Sequence, residues 1–122
     1  MRVLVVDDQE FFRSVLCDLV TATPGFTVVG EAACGEDALP VTDALAPEFV
    51  LMDIRMPGCG GIEAARLLTQ RHPGLVVLLV SAQELPALAA GEFCDAAVSF
   101  VNKRDLGGVV LRQTWERREA SG

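Results

Sequence analysis

Residues 1–10, Met-Arg-Val-Leu-Val-Val-Asp-Asp-Gln-Glu, decide the fold: four apolar residues, Val3 to Val6, run straight into a pair of acids, Asp7 and Asp8. A run this short and this rich in β-branched residues reads as a strand buried on both faces. Three later runs also end on a polar residue: Phe49-Val50-Leu51-Met52 on Asp53, Leu75 to Val80 on Ser81, and Val98-Ser99-Phe100-Val101-Asn102 on Lys103. If these runs are parallel strands of one sheet, acids, hydroxyl and ammonium collect at one edge. Such an edge suits a magnesium ion and a phosphoryl group.

Stretches of helical period separate the runs, and that alternation predicts an α/β domain with a parallel sheet. Strands are expected at roughly 2–6, 26–31, 48–53, 75–80 and 97–101. In the first helix Phe12, Val15, Leu16, Leu19 and Val20 follow the core-stripe rule, and Pro24-Gly25 ends it. The second, from about Glu36 to Ala46, contains Pro40 and should start late or bend. The third runs from Gly61 to Arg71 and stops at His72-Pro73-Gly74, and the fourth has room only between Leu85 and about Phe93. The fifth is expected from an N-cap at Asp105 to about Glu119, with Leu106, Val109 and Val110 facing the core and Leu111 and Trp115 on a nearly opposite face. Trp115 then either forms a contact site or folds down over the fourth helix or the sheet edge. Phe11, near the acids, either meets a partner or covers the crevice.

Right-handed crossovers leave few strand orders, and the doubly wound, flavodoxin-like order 2-1-3-4-5, with five helices on both faces, is the expected one. It makes strands 1 and 3 neighbours, and ligands bind such sheets where the order reverses, at the carboxyl ends of those two strands. Asp7, Asp8 and Asp53 fall there.

A chain of 122 residues, 51% apolar, suits a single domain spanning 1–122. The formal charge of -7, with ten scattered Lys and Arg, argues against direct nucleic-acid contact. The first apolar run stops too early for a signal peptide, and Leu75 to Val80 is too short to cross a bilayer. No membrane partner is expected, and the chain reads as soluble and cytoplasmic. Cys17, Cys34, Cys59 and Cys94 form no C-x-x-C pair and His72 stands alone, so a zinc site is not expected and the thiols read as reduced.

Three converging carboxylates repel one another unless a cation neutralises them or their pKa values rise. Oxygen ligands without His or Cys select a hard cation, and a few carboxylates with open water positions suit Mg²⁺. A carboxylate can attack a phosphoryl donor to form an aspartyl phosphate, and Asp53 is the expected nucleophile. Asp8 would hold the metal, with Asp7 more remote or acting through water. Lys103 would meet one phosphoryl oxygen as a point charge, and the Ser81 hydroxyl would donate to another. Singly, each of these residues is an ordinary turn former, cap or solvated charge; together they are hard to produce by chance. A haloacid-dehalogenase type of phosphatase would want an acid where Gln9 stands, and a nucleotide-binding module would want glycines where Asp7-Asp8-Gln9-Glu10 stands.

The segments Val5-Val6-Asp7-Asp8-Gln9, Leu51-Met52-Asp53-Ile54-Arg55-Met56-Pro57, Gly61, Leu79-Val80-Ser81-Ala82 and Phe100-Val101-Asn102-Lys103 resemble the receiver domain of two-component response regulators, from about Arg2 to Arg118. Glu31 to Gly35 and Lys103-Arg104-Asp105-Leu106 resemble most closely receivers that precede a helix-turn-helix DNA-binding domain. The resemblance implies phosphoryl transfer from a sensor histidine kinase to Asp53, with Mg²⁺ held by Asp7, Asp8, Asp53 and the backbone carbonyl of Arg55. It implies a conformational switch carried by Ser81 and the aromatic Phe100, controlling an output such as transcription. The chain would not be an enzyme beyond its own phosphorylation and dephosphorylation. Its expected partners are the kinase, a second copy in a homodimer, and a DNA-binding output domain that is separate or missing. Two stretches depart from the family pattern: Arg104 stands where many receivers have proline after the lysine, so no cis bond is expected there, and Asp95-Ala96-Ala97-Val98-Ser99 replaces the usual small-residue run. A degenerate receiver that binds proteins without phosphorylation is the alternative reading.

Overall fold

Strict alternation sorts the strand residues between two cores. Val3, Val5, Phe49, Leu51, Val76, Leu78 and Val80 belong to one apolar cluster. Leu4, Val6, Val50, Met52, Val77 and Leu79 belong to the other. That period of two is what a sheet covered on both faces imposes. The computed structural model describes residues 1–55, 60–81 and 98–121, with side chains up to Arg117 in the last segment. In it β1 (Arg2–Val6), β2 (Thr27–Ala32), β3 (Phe49–Asp53), β4 (Val76–Ser81) and β5 (Val98–Asn102) form one sheet. All pairings are parallel and the order is β2-β1-β3-β4-β5, as expected from the sequence.

Helices α1 (Glu10–Ala22), α2 (Gly35–Leu45), α3 (Gly60–Arg71) and α4 (Gly108–Ser121) pack on both faces. Leu16 and Val20 of α1 and Leu111 of α4 join the first cluster; Ala38 of α2 and Ala64, Ala65 and Leu68 of α3 join the second. The helix expected between Leu85 and Phe93 lies outside the described residues, as do Gln83, Cys59 and Cys94.

Two helical details differ from the sequence reading, and a third settles an open alternative. Val15 is exposed rather than core, because the sheet face below α1 is covered by the narrower stripe of Leu16 and Val20. Of the two outcomes expected for α2, a late start or a bend, the late start is excluded: the helix begins at Gly35 with Pro40 inside, so that residue cannot donate to the Glu36 carbonyl. The last helix starts two residues later than expected. Lys103–Asp105 forms a 3-10 turn, with Asn102 accepting from the Arg104 N–H at 3.1 Å, and Leu106 is extended. The delay rotates the buried stripe onto Leu111 and Thr114, leaves Val109 exposed, and brings Trp115 half-buried against the first cluster. Trp115 lines a cleft together with Pro47, Glu48, His72 and Pro73. Val109→Ser should therefore change the unfolding free energy by less than about 0.5 kcal/mol in urea titrations. A loss of core-residue size would restore the earlier phase.

Candidate functional site

Parallel register brings the acids level. Val6 pairs with Met52 across β1 and β3, so the next residues, Asp7 and Asp53, stand side by side where the strand order reverses. Asp7 continues the alternation of Val3 and Val5, and Asp53 that of Phe49 and Leu51, which turns both toward the α1 face. Lys103 continues the alternation of Val101 and arrives on the same face. Its Nζ lies 3.9 Å from Asp7 Oδ2 and 3.8 Å from Asp53 Oδ2. Carboxylate oxygens of Asp7, Asp8 and Asp53 all lie within 4.8 Å of one another.

Each acid is held by backbone. Asp7 is fully buried; its Oδ1 accepts the Gln9 N–H at 2.9 Å, and its N–H donates to the Ala32 carbonyl at 3.1 Å. Asp53 is 7% exposed, and its Oδ1 accepts the Arg55 N–H at 3.2 Å. Asp8, in the loop, is exposed. Burial raises the pKa of Asp7 and of Asp53 above the ordinary carboxylate range; the backbone donors and Lys103 oppose the shift, and the neighbouring acids add to it.

The donor set fits a hard divalent cation. Asp7 Oδ2 is buried with no hydrogen-bond partner among the described residues, an acceptor that folding has desolvated with only the Lys103 charge 3.9 Å away to offset it. A cation among the three carboxylates would supply the missing partner and remove their repulsion, and oxygen-only ligands select Mg²⁺ over zinc or copper.

Without metal the acids cost stability, and the sign follows from linkage. Folded-state pKa values above those of the unfolded chain mean that, through the window between the two, the folded protein retains protons the unfolded chain has released. Stability of the metal-free protein therefore falls as pH rises through that window and recovers as pH drops back toward the ordinary carboxylate value. Asp7→Asn keeps an acceptor for Gln9 and turns the orphaned oxygen into a donor facing acids. It should stabilise the metal-free protein at neutral pH by roughly 1 kcal/mol and flatten the pH dependence of its melting temperature measured in EDTA. A lower melting temperature than wild type would contradict this account of the site.

The other predicted site residues are distributed around this cluster. Ser81 ends β4, 6% exposed, one residue beyond Val80, the register partner of Asp53. Phe100 is half-buried, pairs in register with Leu79, and packs on the cluster opposite to Asp53. Ser81 continues the alternation of Leu79, so the two switch candidates share that face. Arg55 is exposed and touches Asp53 through its N–H.

The sequence reading gave two residues no role at the site. Arg13 donates from Nη1 to the Asp7 carbonyl at 2.8 Å and from Nε to Glu31 at 3.1 Å, tying the end of β1 to β2. The ring of Phe12, expected in the core, is half-buried, and the Lys103 ammonium stands 3.8 Å from its centroid. Arg13 could have been suspected from its place one turn into a helix that starts beside the acids; nothing local marks Phe12. Cys17 and Cys34 are free thiols. Burial, aided by the Glu31 carboxylate, pushes the Cys17 thiol up to about 11, so it stays protonated at neutral pH and is a poor nucleophile.

A doubly wound parallel sheet with carboxylates and an amine at its switch point is a flavodoxin-like α/β domain. The chain matches the response regulator receiver domain family over residues 3–108, and it belongs to that family, the receivers of two-component systems. It is 43% identical over 84 residues to the response regulator GacA of Pseudomonas aeruginosa, covering 69% of this chain and 39% of GacA. The response regulator domain of CheB from Thermotoga maritima superposes with a TM-score of 0.80 at 32% identity, covering 98% of this chain and 96% of that domain. The receiver domain of the response regulator NarL from Mycobacterium tuberculosis gives a TM-score of 0.80 at 30% identity, covering 97% and 95%. The chain spans less than half the length of the curated relatives it matches. Among the described residues no helix is long and apolar enough to cross a membrane.

Proposed function

We propose that this chain accepts a phosphoryl group on Asp53 from a phosphohistidine of a sensor histidine kinase. The observation that carries this reading is the triangle of carboxylates within 4.8 Å, with the Lys103 ammonium 3.8 and 3.9 Å from two of them. One Asp53 oxygen attacks phosphorus; the new O–P bond forms as the N–P bond breaks, and the departing imidazole keeps the electron pair and takes up a proton from solvent. Asp7, Asp8, Asp53 and the Arg55 carbonyl would hold Mg²⁺, which when bound neutralises charge on the transferring oxygens. Lys103 offsets charge on a further oxygen, and Ser81 donates to another. Loss of the group is attack of water on the same phosphorus, with Arg55 beside its path.

Phosphorylation shifts a two-state equilibrium, drawing Ser81 inward while Phe100 turns into the released space. In the cytoplasm the shifted state would control an output, transcription in the first instance, through a homodimer or a DNA-binding domain that these residues do not include. Beyond its own phosphorylation and dephosphorylation the domain catalyses nothing. Incubation with acetyl phosphate, read by intact mass, tests the acceptor: one phosphoryl group should be gained with Mg²⁺ and none in EDTA. Wild type that gains nothing under either condition would leave the phosphorylation-independent binding module as the better reading.

A further inference from the structure

We propose that Phe12 is a positioning residue whose ring face holds the Lys103 ammonium between Asp7 and Asp53 without letting it close on either, so that the cation is free to meet a phosphoryl oxygen. The inference rests on Asp53 being the acceptor.

Three contacts of nearly equal length define the place of the ammonium: 3.8 Å to Asp53 Oδ2, 3.9 Å to Asp7 Oδ2 and 3.8 Å to the Phe12 ring centroid. Both carboxylate distances exceed the roughly 2.7–2.9 Å of a charge-assisted hydrogen bond. On a flexible stem, an ammonium left to two such anions would collapse onto one of them. The ring opposes that collapse, because its negatively charged face attracts the cation from a third direction and shields it from water. Alternation turns Lys103, Asp7 and Asp53 to the α1 side of the sheet, and Phe12 stands in the first turn of that helix, over the same edge. Phe11, itself 74% exposed, meets Phe12 at 5.7 Å and 76°, so an edge-to-face contact braces the ring from outside while its face stays on the cation.

The consequence is kinetic. In the loose transition state of phosphoryl transfer the peripheral oxygens carry the charge, and a cation already detached from its counter-ions needs no reorganisation to meet them. A Lys103 hydrogen-bonded to Asp53 would first have to leave the nucleophile itself.

Shape and ring electrostatics can be separated. Pentafluorophenylalanine placed at position 12 keeps the ring but reverses the charge of its face; Phe12→Leu removes the ring; Phe12→Tyr retains it. With acetyl phosphate and Mg²⁺, uptake should be about fivefold slower for the pentafluoro and Leu forms and within about twofold of wild type for Tyr. In metal-free protein the Lys103 ε-methylene protons should show an upfield ring-current shift in wild type and Phe12→Tyr that disappears in Phe12→Leu. A pentafluoro form as fast as wild type would show that Phe12 only fills space, and unshifted ε-protons in wild type would show that the contact does not exist. Failure of wild type itself to take up phosphate would instead strike the acceptor assignment, while the proton shifts would still decide the contact.

Discussion

Asp53→Asn gains no phosphoryl group under conditions in which wild type gains one, and intact mass after incubation with acetyl phosphate and Mg²⁺ reads the difference directly. An amide nitrogen or oxygen at this position cannot replace the carboxylate as nucleophile, and losing one of three anionic ligands also weakens the cation site. The loss is not a folding defect. The Asn side-chain oxygen still accepts the Arg55 N–H that Asp53 holds at 3.2 Å, and removing a buried charge whose pKa burial has raised lessens the repulsion with Asp7. The variant should therefore melt at or above the wild-type temperature in EDTA. Phosphoryl uptake by Asp53→Asn at the wild-type rate would move the acceptor to another residue, with Asp8 the next to test.

Gly61→Ala is expected to lose about 3 kcal/mol of stability, the upper end of what overpacking costs, and phosphoryl uptake along with it. A Cβ at Gly61 would stand 2.3 Å from the Asp53 carbonyl oxygen and 2.8 Å from the Ile54 Cα, both backbone atoms that no rotamer change can move. The close approach exists because the Gly61 N–H donates to the Ile54 carbonyl at 2.9 Å, docking the start of α3 directly on the end of β3. Relief requires the helix to back away from the strand end that carries Asp53. Gly60 is the control: its φ of 74° lies in the left-handed region, but among the described residues an added Cβ would meet only the Ile54 carbonyl oxygen, at 3.9 Å. Gly60→Ala should cost about 1 kcal/mol, from backbone strain alone. Urea denaturation of the two variants separates close approach from backbone conformation, and equal losses would refute the distinction.

Most of the site was legible because each of its polar residues ends a strand. An apolar run of four to six residues can stop only where the sheet stops, so the change to Asp7, Asp53, Ser81 and Lys103 marks the sheet edge. The acidic cluster and the strand order followed from that punctuation. Helix phase was less legible. Leu106 and Val110 pack on the core as the expected stripe requires, but the side chain of Asn102 caps a 3-10 turn that delays α4 to Gly108, and with that delay Leu111 is buried and Val109 exposed. Period alone carries no information about where a helix starts. Pro40 left a late start or a bend open, and tertiary packing excluded the late start: α2 begins at Gly35 with Pro40 inside, its Ala38 and Thr42 buried.

By itself, then, the order of residues determined which side chains reach the sheet edge, because strand length and alternation are local properties with a period of two. Their mutual distances belong to the tertiary structure. That Asp7 stands level with Asp53 depends on the register of two strands separated by more than forty residues. Lys103 meets the ring of Phe12 because β5 and α1 flank the same face, a proximity that neither segment encodes alone. Long-range register and packing are cooperative, and they set the spacing of charges on which the chemistry of this pocket depends.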